Sequence, residues 1–182
     1  MLIHAIRAIF FDLLLYATQN IIPSIPSAHL RLILYRGFAR IHFRGTVYIG
    51  LHVSFSSIGN CVIGGNVAIN SGCKLDNRGG LYIGNNVSLS NDVCILTADH
   101  DVTATNLVGR VAPVIIDDDV FVGTRATILK GVTVGRGSAI AACACVTKDV
   151  PPFAIVAGIP ARVIGIRPDM IDYKVDYWRH FI

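Results

Sequence analysis

IDDDVFVGTRATILKGVTVGRGSAIAACACV, residues 116–146, carries a large apolar residue at every sixth position: Ile116, Val122, Ile128, Val134, Ile140 and Val146. Four residues after an anchor stands a small or β-branched residue: Val120, Ala126, Val132, Ser138 and Ala144. Six is not a helical period, and the wealth of β-branched residues argues for strands. Short strands joined by tight corners account for both features. The anchor points into a narrow core, and the small residue fits a corner where a larger one would collide. The position after an anchor is often Gly, Asp or Asn, as at Asp117, Gly123 and Gly135, which suits a corner of positive φ. Three such faces make one triangular coil of about 18 residues, and stacked coils pair strands in parallel around a continuous core.

Upstream the same period runs through Ile49, Phe55, Ile63, Ile69, Leu75, Ile83, Leu89 and Ile95. It breaks between Phe55 and Ile63, between Leu75 and Ile83, and between Ile95 and Ile116. Grouping the anchors in threes puts all three insertions at one corner, between the third face of a coil and the first face of the next. His100–Pro113 is therefore expected to loop out from one corner of a prism. The chain reads as an all-β core, a parallel β-helix over residues 45–166, with a helical segment at 1–44 and a helix or tail at 167–182.

In the N-terminal segment, Leu2, Ile6, Ile9, Leu13 and Tyr16 fall on one helical face, which Pro23 and Pro26 end. A second helix is expected over about Ser27–Ala39, carrying Arg31 and Arg36, with Arg40 just beyond. Two readings stand for residues 1–40: they cap the end of the β-helix, or they meet a membrane surface through apolar and basic groups. Arg7 and Asp12 interrupt the first apolar run, and Gln19, Asn20, Pro23 and Pro26 the second, so neither is a clean membrane span. Pro168 can open a short C-terminal helix with Ile171, Val175 and Trp178 on one side.

Apolar residues make up 53% of the chain and charged residues 15%, which suggests extra buried surface in an oligomer or contact with membrane. The formal charge of +4 is mild and suits anionic ligands such as nucleotides. There is no dense basic run and no nucleic-acid-binding motif, so nucleic acid is not an expected partner. Cys61, Cys73, Cys94, Cys143 and Cys145 are odd in number and lack C-x-x-C pairs. They read as reduced thiols packed as small apolar residues, pointing to a cytoplasmic compartment.

The run 115–164, and above all its ending VTKDVPP (146–152) and AGIPARVI (157–164), resembles the hexapeptide-repeat acyltransferases. The N-terminal helices look most like the branch that O-acetylates polysaccharides. The resemblance implies a left-handed β-helix, against the usual crossover rule, and a homotrimer with active sites between subunits. It also implies acetyl-CoA as acyl donor and no metal.

Acyl transfer needs a base, donors for the oxyanion and a thioester held in reach. Histidine suits the base role near neutral pH. Of the six histidines only His100, in TADHD, stands at the mouth of the extruded loop, where the resemblance places the catalytic base. Asn70, in AINSG, matches an asparagine that holds the acceptor hydroxyl, beside the plainer reading of an Asn chosen for corner φ. Asp99 or Asp101 would hold the imidazole tautomer, as the third member of a triad does. For coenzyme A the matching positions are Thr124, Ala142, Thr147, Lys148, Arg162 and Arg167, with Lys148 and Arg162 the cations for phosphate. Two positions depart from the pattern. Phe121 stands where sugar acetyltransferases often carry Trp, and Ala141 where a Gly is common.

The expected function is therefore O-acetylation of a sugar hydroxyl in a cell-surface polysaccharide or its lipid-linked precursor, in the cytoplasm or at the inner membrane face. N-acetylation of an amino sugar or small amine is the alternative on the same scaffold. A non-catalytic β-helix scaffold is a third reading, but it needs neither His100 nor the basic tail. A β-helix carbonic anhydrase would need three His ligands on zinc, and only His100 is suitably placed.

Overall fold

The computed structural model describes residues 2–181. Helix α1 (Leu2–Tyr16) runs on without a break through a π-helical turn, Ala17–Ile21, and a 3-10 turn, Ile22–Ser24. Helix α2 (Ala28–Gly37) follows, with the Ser27 hydroxyl accepting from Leu30 N at its start. The strands then come in coils. The first holds β1 (His42–Phe43), β2 (Val47–Ile49) and β3 (Ser54–Phe55). The second holds β4 (Cys61–Ile63), β5 (Val67–Ile69) and β6 (Lys74–Leu75), and the third β7 (Leu81–Ile83), β8 (Ser88–Leu89) and β9 (Cys94–Ile95). A hairpin of β10 (Ala98–His100) and β11 (Gly109–Val111) leaves the stack. The fourth coil is β12 (Val114–Ile116), β13 (Phe121–Val122) and β14 (Thr127–Ile128), and the fifth β15 (Thr133–Val134), β16 (Ala139–Ile140) and β17 (Cys145–Val146). β18 (Ala154–Ala157) and β19 (Arg162–Ile166) close the stack as an antiparallel pair.

The coils pair into three faces. Face one is β1-β4-β7-β12-β15, face two β2-β5-β8-β13-β16-β18-β19, and face three β3-β6-β9-β14-β17. Anchors stack on anchors: Ile63 pairs with Ile83, Ile69 with Leu89, Leu75 with Ile95. Every anchor from Ile49 to Val146 is buried, each worth about 1.5–3 kcal/mol against exposure. All three insertions leave from the corner between faces three and one, as the spacing implies. The largest folds into the β10–β11 hairpin rather than an irregular loop, and it starts at Ala98.

The corners differ from the sequence reading. Positive φ falls three residues after an anchor, at His52, Asn66, Asn86, Asp92, Arg125 and Cys143, not one after. The glycines directly after an anchor serve close approach instead, because corner backbones of successive coils lie on one another. A Cβ on Gly64 would stand 2.5 Å from Gly84 O, and one on Gly123 2.6 Å from Ala142 N. Gly64→Ala is therefore expected to cost about 1–3 kcal/mol, a melting drop on the order of 2–10 °C. Gly65→Ala is the control, since its Cβ would meet Gly45 Cα at an ordinary 3.5 Å. Equal melting points for the two variants would refute this account.

Helix α2 caps the open end of the stack. The first coil has no strand below it, so the carbonyls of Ile49 and Val53 face outward. Arg31 Nε and Nη2 donate to Ile49 O at 3.3 and 2.7 Å, Nη1 donates to Ile25 O, and the Tyr35 hydroxyl donates to Val53 O. Both side chains are fully buried. Arg31 is therefore not part of a basic outer surface, as its sequence context suggested: an open sheet edge needs donors, and i, i+4 spacing on α2 supplies two.

Among the described residues no helix forms after Pro168. Residues 167–181 run extended back along face two. Their backbone groups find partners on side chains and loops: Val175 N donates to Asn86 Oδ1 at 2.7 Å, Asn86 Nδ2 to Tyr173 O, and Ala28 N to His180 O. Val175 and Trp178 cover Ala28, Tyr48 and Ala68. The apolar residues do face the body, but from a strap.

Candidate active site

The hairpin positions His100. In the β10–β11 register Asp99 lies opposite Arg110 and His100 opposite Gly109. His100 Nδ1 is 2.8 Å from Leu107 O. A carbonyl only accepts, so Nδ1 carries the hydrogen and the neutral ring presents its lone pair at Nε2. The exposed ring lines a cleft of about 290 Å3 with Arg78, Asp99, Gly109 and Arg110.

The orienting partner is thus a backbone carbonyl, not a carboxylate. Asp101 accepts from Thr103 N at 3.0 Å and Thr103 Oγ1 at 2.7 Å, and pairs with Arg110 at 3.4 Å. It closes an Asx turn within the hairpin tip, and the hydrogen bonds from Thr103 hold its carboxyl below the usual range. Asp99 pairs with Arg110 at 2.9 Å and Lys130 at 3.6 Å. The Arg110 hydrogen bond is the chief reason its carboxyl, too, lies low.

The other expected residues fall into two groups on either side of face three. Asn70, Thr124 and Ala142 follow face-two strands at the corner leading into it. His100, Thr147 and Lys148 stand beyond its far edge. Asn70 does not have the positive φ expected of a corner Asn. Its Nδ2 donates to Leu89 O at 2.9 Å, which turns Oδ1 away from that carbonyl. Lys148 and Arg162 line one cavity of about 300 Å3 with Asp149, Pro151 and Ala161. Arg167 is not with them. Its Nη1 donates to Gly137 O at 3.0 Å and its guanidinium lies over the Tyr173 ring, so it fastens the strap.

Arg78, Arg110 and Lys130 around His100 escaped the sequence reading. One signal was present: Asp76–Gly80 is an insertion at the same corner as the hairpin, one coil earlier. Asp76 is buried and takes Arg78 Nε at 2.9 Å, Arg78 Nη2 at 3.1 Å and Thr97 N at 3.0 Å. Burial raises its pKa, but those hydrogen bonds outweigh burial and hold it low. Among the described residues, no three His, Cys, Asp or Glu side chains gather to hold a metal.

No protein-family model matches the chain. A hexapeptide-repeat-containing acetyltransferase of Vibrio cholerae, complexed with acetyl coenzyme A, superposes with a TM-score of 0.75 at 26% identity, over 92% of this chain and 90% of the other. A galactoside acetyltransferase in complex with coenzyme A gives a TM-score of 0.76 at 28% identity, over 93% and 88%. The structural neighbours are hexapeptide-repeat acetyltransferases, and the parallel solenoid is the left-handed β-helix of that group. Among curated relatives, 63 residues, 35% of this chain, are 54% identical to 2,3,4,5-tetrahydropyridine-2,6-dicarboxylate N-acetyltransferase of Staphylococcus aureus. The match spans about a quarter of that relative's length, 26%.

Proposed function

We propose that the chain is an acetyl-CoA-dependent acyltransferase acting on a sugar hydroxyl of a cell-surface polysaccharide or its lipid-linked precursor, with His100 as general base. The observation that carries this reading is the His100 Nδ1 bond to Leu107 O, which leaves Nε2 free and open to a cleft. His100 takes the acceptor's hydroxyl proton as the acceptor oxygen bonds to the acyl carbon. It then returns that proton to the departing sulfur as the C–S bond breaks, so the base is restored and coenzyme A leaves as the thiol. Asn70 is the acceptor-side group: the second hydrogen of its Nδ2, the first being given to Leu89 O, donates to the same hydroxyl's oxygen. Thr124, Ala142 and Thr147 edge face three, where the pantetheine arm is taken to run, and Lys148 and Arg162 offer two cations to phosphate in one cavity.

One chain keeps Asn70 and His100 on opposite sides of face three. A homotrimer, with prisms side by side, is the arrangement that closes the gap, and the reading includes it. The solved galactoside acetyltransferase supports a hydroxyl acceptor. The Staphylococcus aureus relative favours the second reading, transfer to an amine, for which the same base serves. The discriminating assay incubates full-length protein and acetyl-CoA with sugars, glycan fragments and amino sugars. It follows thiol release and locates the new acetyl group by mass spectrometry. An O-acetyl product supports the first reading, an N-acetyl product the second, and no thiol release with any acceptor rejects both.

Lys148→Ala and Arg162→Ala are each expected to weaken coenzyme A binding about tenfold, the size of one charge-assisted contact, with melting unchanged because both side chains are exposed. Unchanged affinity by calorimetry in both variants removes this cavity from the phosphate role.

A further inference from the structure

We propose that α1 lies on an anionic lipid surface and holds the enzyme there as a peripheral membrane protein. Ile6, Ile9, Phe10, Leu13 and Tyr16 follow i, i+3, i+4, i+7, i+10 spacing, and each is between 56% and 67% exposed. This is one apolar helical face with nothing of the chain against it. The side toward the body is different: Leu14 and Leu15 are half-buried and Thr18 is fully buried.

Charge selects the occupant. Residues 1–44 hold Arg7, Arg31, Arg36, Arg40 and Arg44 against the single acid Asp12, which accounts for the whole formal +4 of the chain. Residues 45–182 are balanced. Arg31 is consumed inside the fold, whereas Arg7, Arg36, Arg40 and Arg44 are exposed. An apolar stripe on a cationic segment is complementary to anionic headgroups over acyl chains. It is poorly complementary to a second copy of itself, which would bring like charges together.

Attachment to the body selects lying over spanning. The continuous helix His4–Ser24 has 21 residues and is apolar enough to cross a bilayer. Its last turns are tied to the body, however: Ile22 is buried, Gln19 Nε2 donates to Ser56 O, and His52 N donates to Pro23 O. Arg7 and Asp12 also stand within its free part, and one apolar face opposite a side packed on the body suits a helix lying in the interface.

The test floats the full-length protein with phosphatidylglycerol–phosphatidylcholine vesicles and with pure phosphatidylcholine vesicles. The native chain is expected to float with the mixed vesicles and to stay largely behind with the neutral ones. The triple variant Arg36→Gln, Arg40→Gln, Arg44→Gln should lower partitioning roughly a hundredfold, about fivefold for each arginine. Ile9→Asp with Phe10→Asp should abolish flotation while melting temperature and light-scattering mass stay as in the native chain. Three results would overturn the proposal: no flotation of native protein with anionic vesicles, equal flotation on both vesicle types, or a fall in mass of the Ile9/Phe10 variant. The last would assign the stripe to contacts between copies.

Discussion

His100→Ala is expected to lower turnover by roughly two to four orders of magnitude, the usual contribution of a general base. The ring is exposed and makes its bond to Leu107 O within the hairpin, outside the coils. Its removal should therefore leave the melting temperature and coenzyme A affinity near native. His100→Asn keeps a donor for Leu107 O without a basic nitrogen, and is expected to be as inactive as the alanine variant. That comparison separates proton transfer from hairpin positioning: recovery of activity in the asparagine variant would reassign His100 to positioning. Near-native turnover in His100→Ala would end its role as base.

Arg31→Met is expected to be the most damaging single change outside the anchors. Methionine keeps most of the apolar stem but supplies no donor. The carbonyls of Ile49 and Ile25 would then be buried without their guanidinium partner, at about 1–3 kcal/mol each. The sum, about 2–6 kcal/mol, corresponds to a melting drop on the order of 10 °C for a domain of this size. Burial already works against the charge and lowers the Arg31 pKa. The site tolerates the cation because three backbone contacts hold it. Arg36→Met, on the exposed side of the same helix, should stay within about 0.5 kcal/mol of native. Equal melting of the two variants would mean that α2 does not cap the stack through Arg31.

The stack was legible because one apolar residue in six must face a narrow core, and the three insertions fixed which corner the hairpin leaves. The hand was not legible, since Ile69 over Leu89 reads the same in either sense. The glycine pattern was visible but its cause was not. A sequence marks Gly64 as special without saying whether φ or the backbone of Gly84 demands it. The place of His100 in the segment that leaves the stack was legible from the break in period. Leu107 was missed because a carbonyl acceptor leaves no trace in residue type, and Asp101 attracted the role simply by being a neighbouring acid. Ile171, Val175 and Trp178 share spacings that a helix and an extended strap can both satisfy against a body, and Pro168 left the choice open. Arg31 looked like its exposed neighbour Arg36 because nothing in α2 itself announces an unpaired strand edge at Ile49.

The strap changes what kind of object the coil stack is. A plain solenoid is a one-dimensional array, free to fray from either end, because each coil holds only its neighbours. Here Arg167 grips the fifth coil at Gly137 O, Asn86 holds the middle through Val175 N, and Phe181 bridges to Ser27 beside the capping helix. The noncovalent circuit runs up through the coils and back down the strap, as in a cyclised chain. Opening the first coil then also costs the contacts of Trp178, and opening the last loosens α2. Hydrogen exchange along the coils should accordingly approach a single protection level rather than a gradient toward the ends.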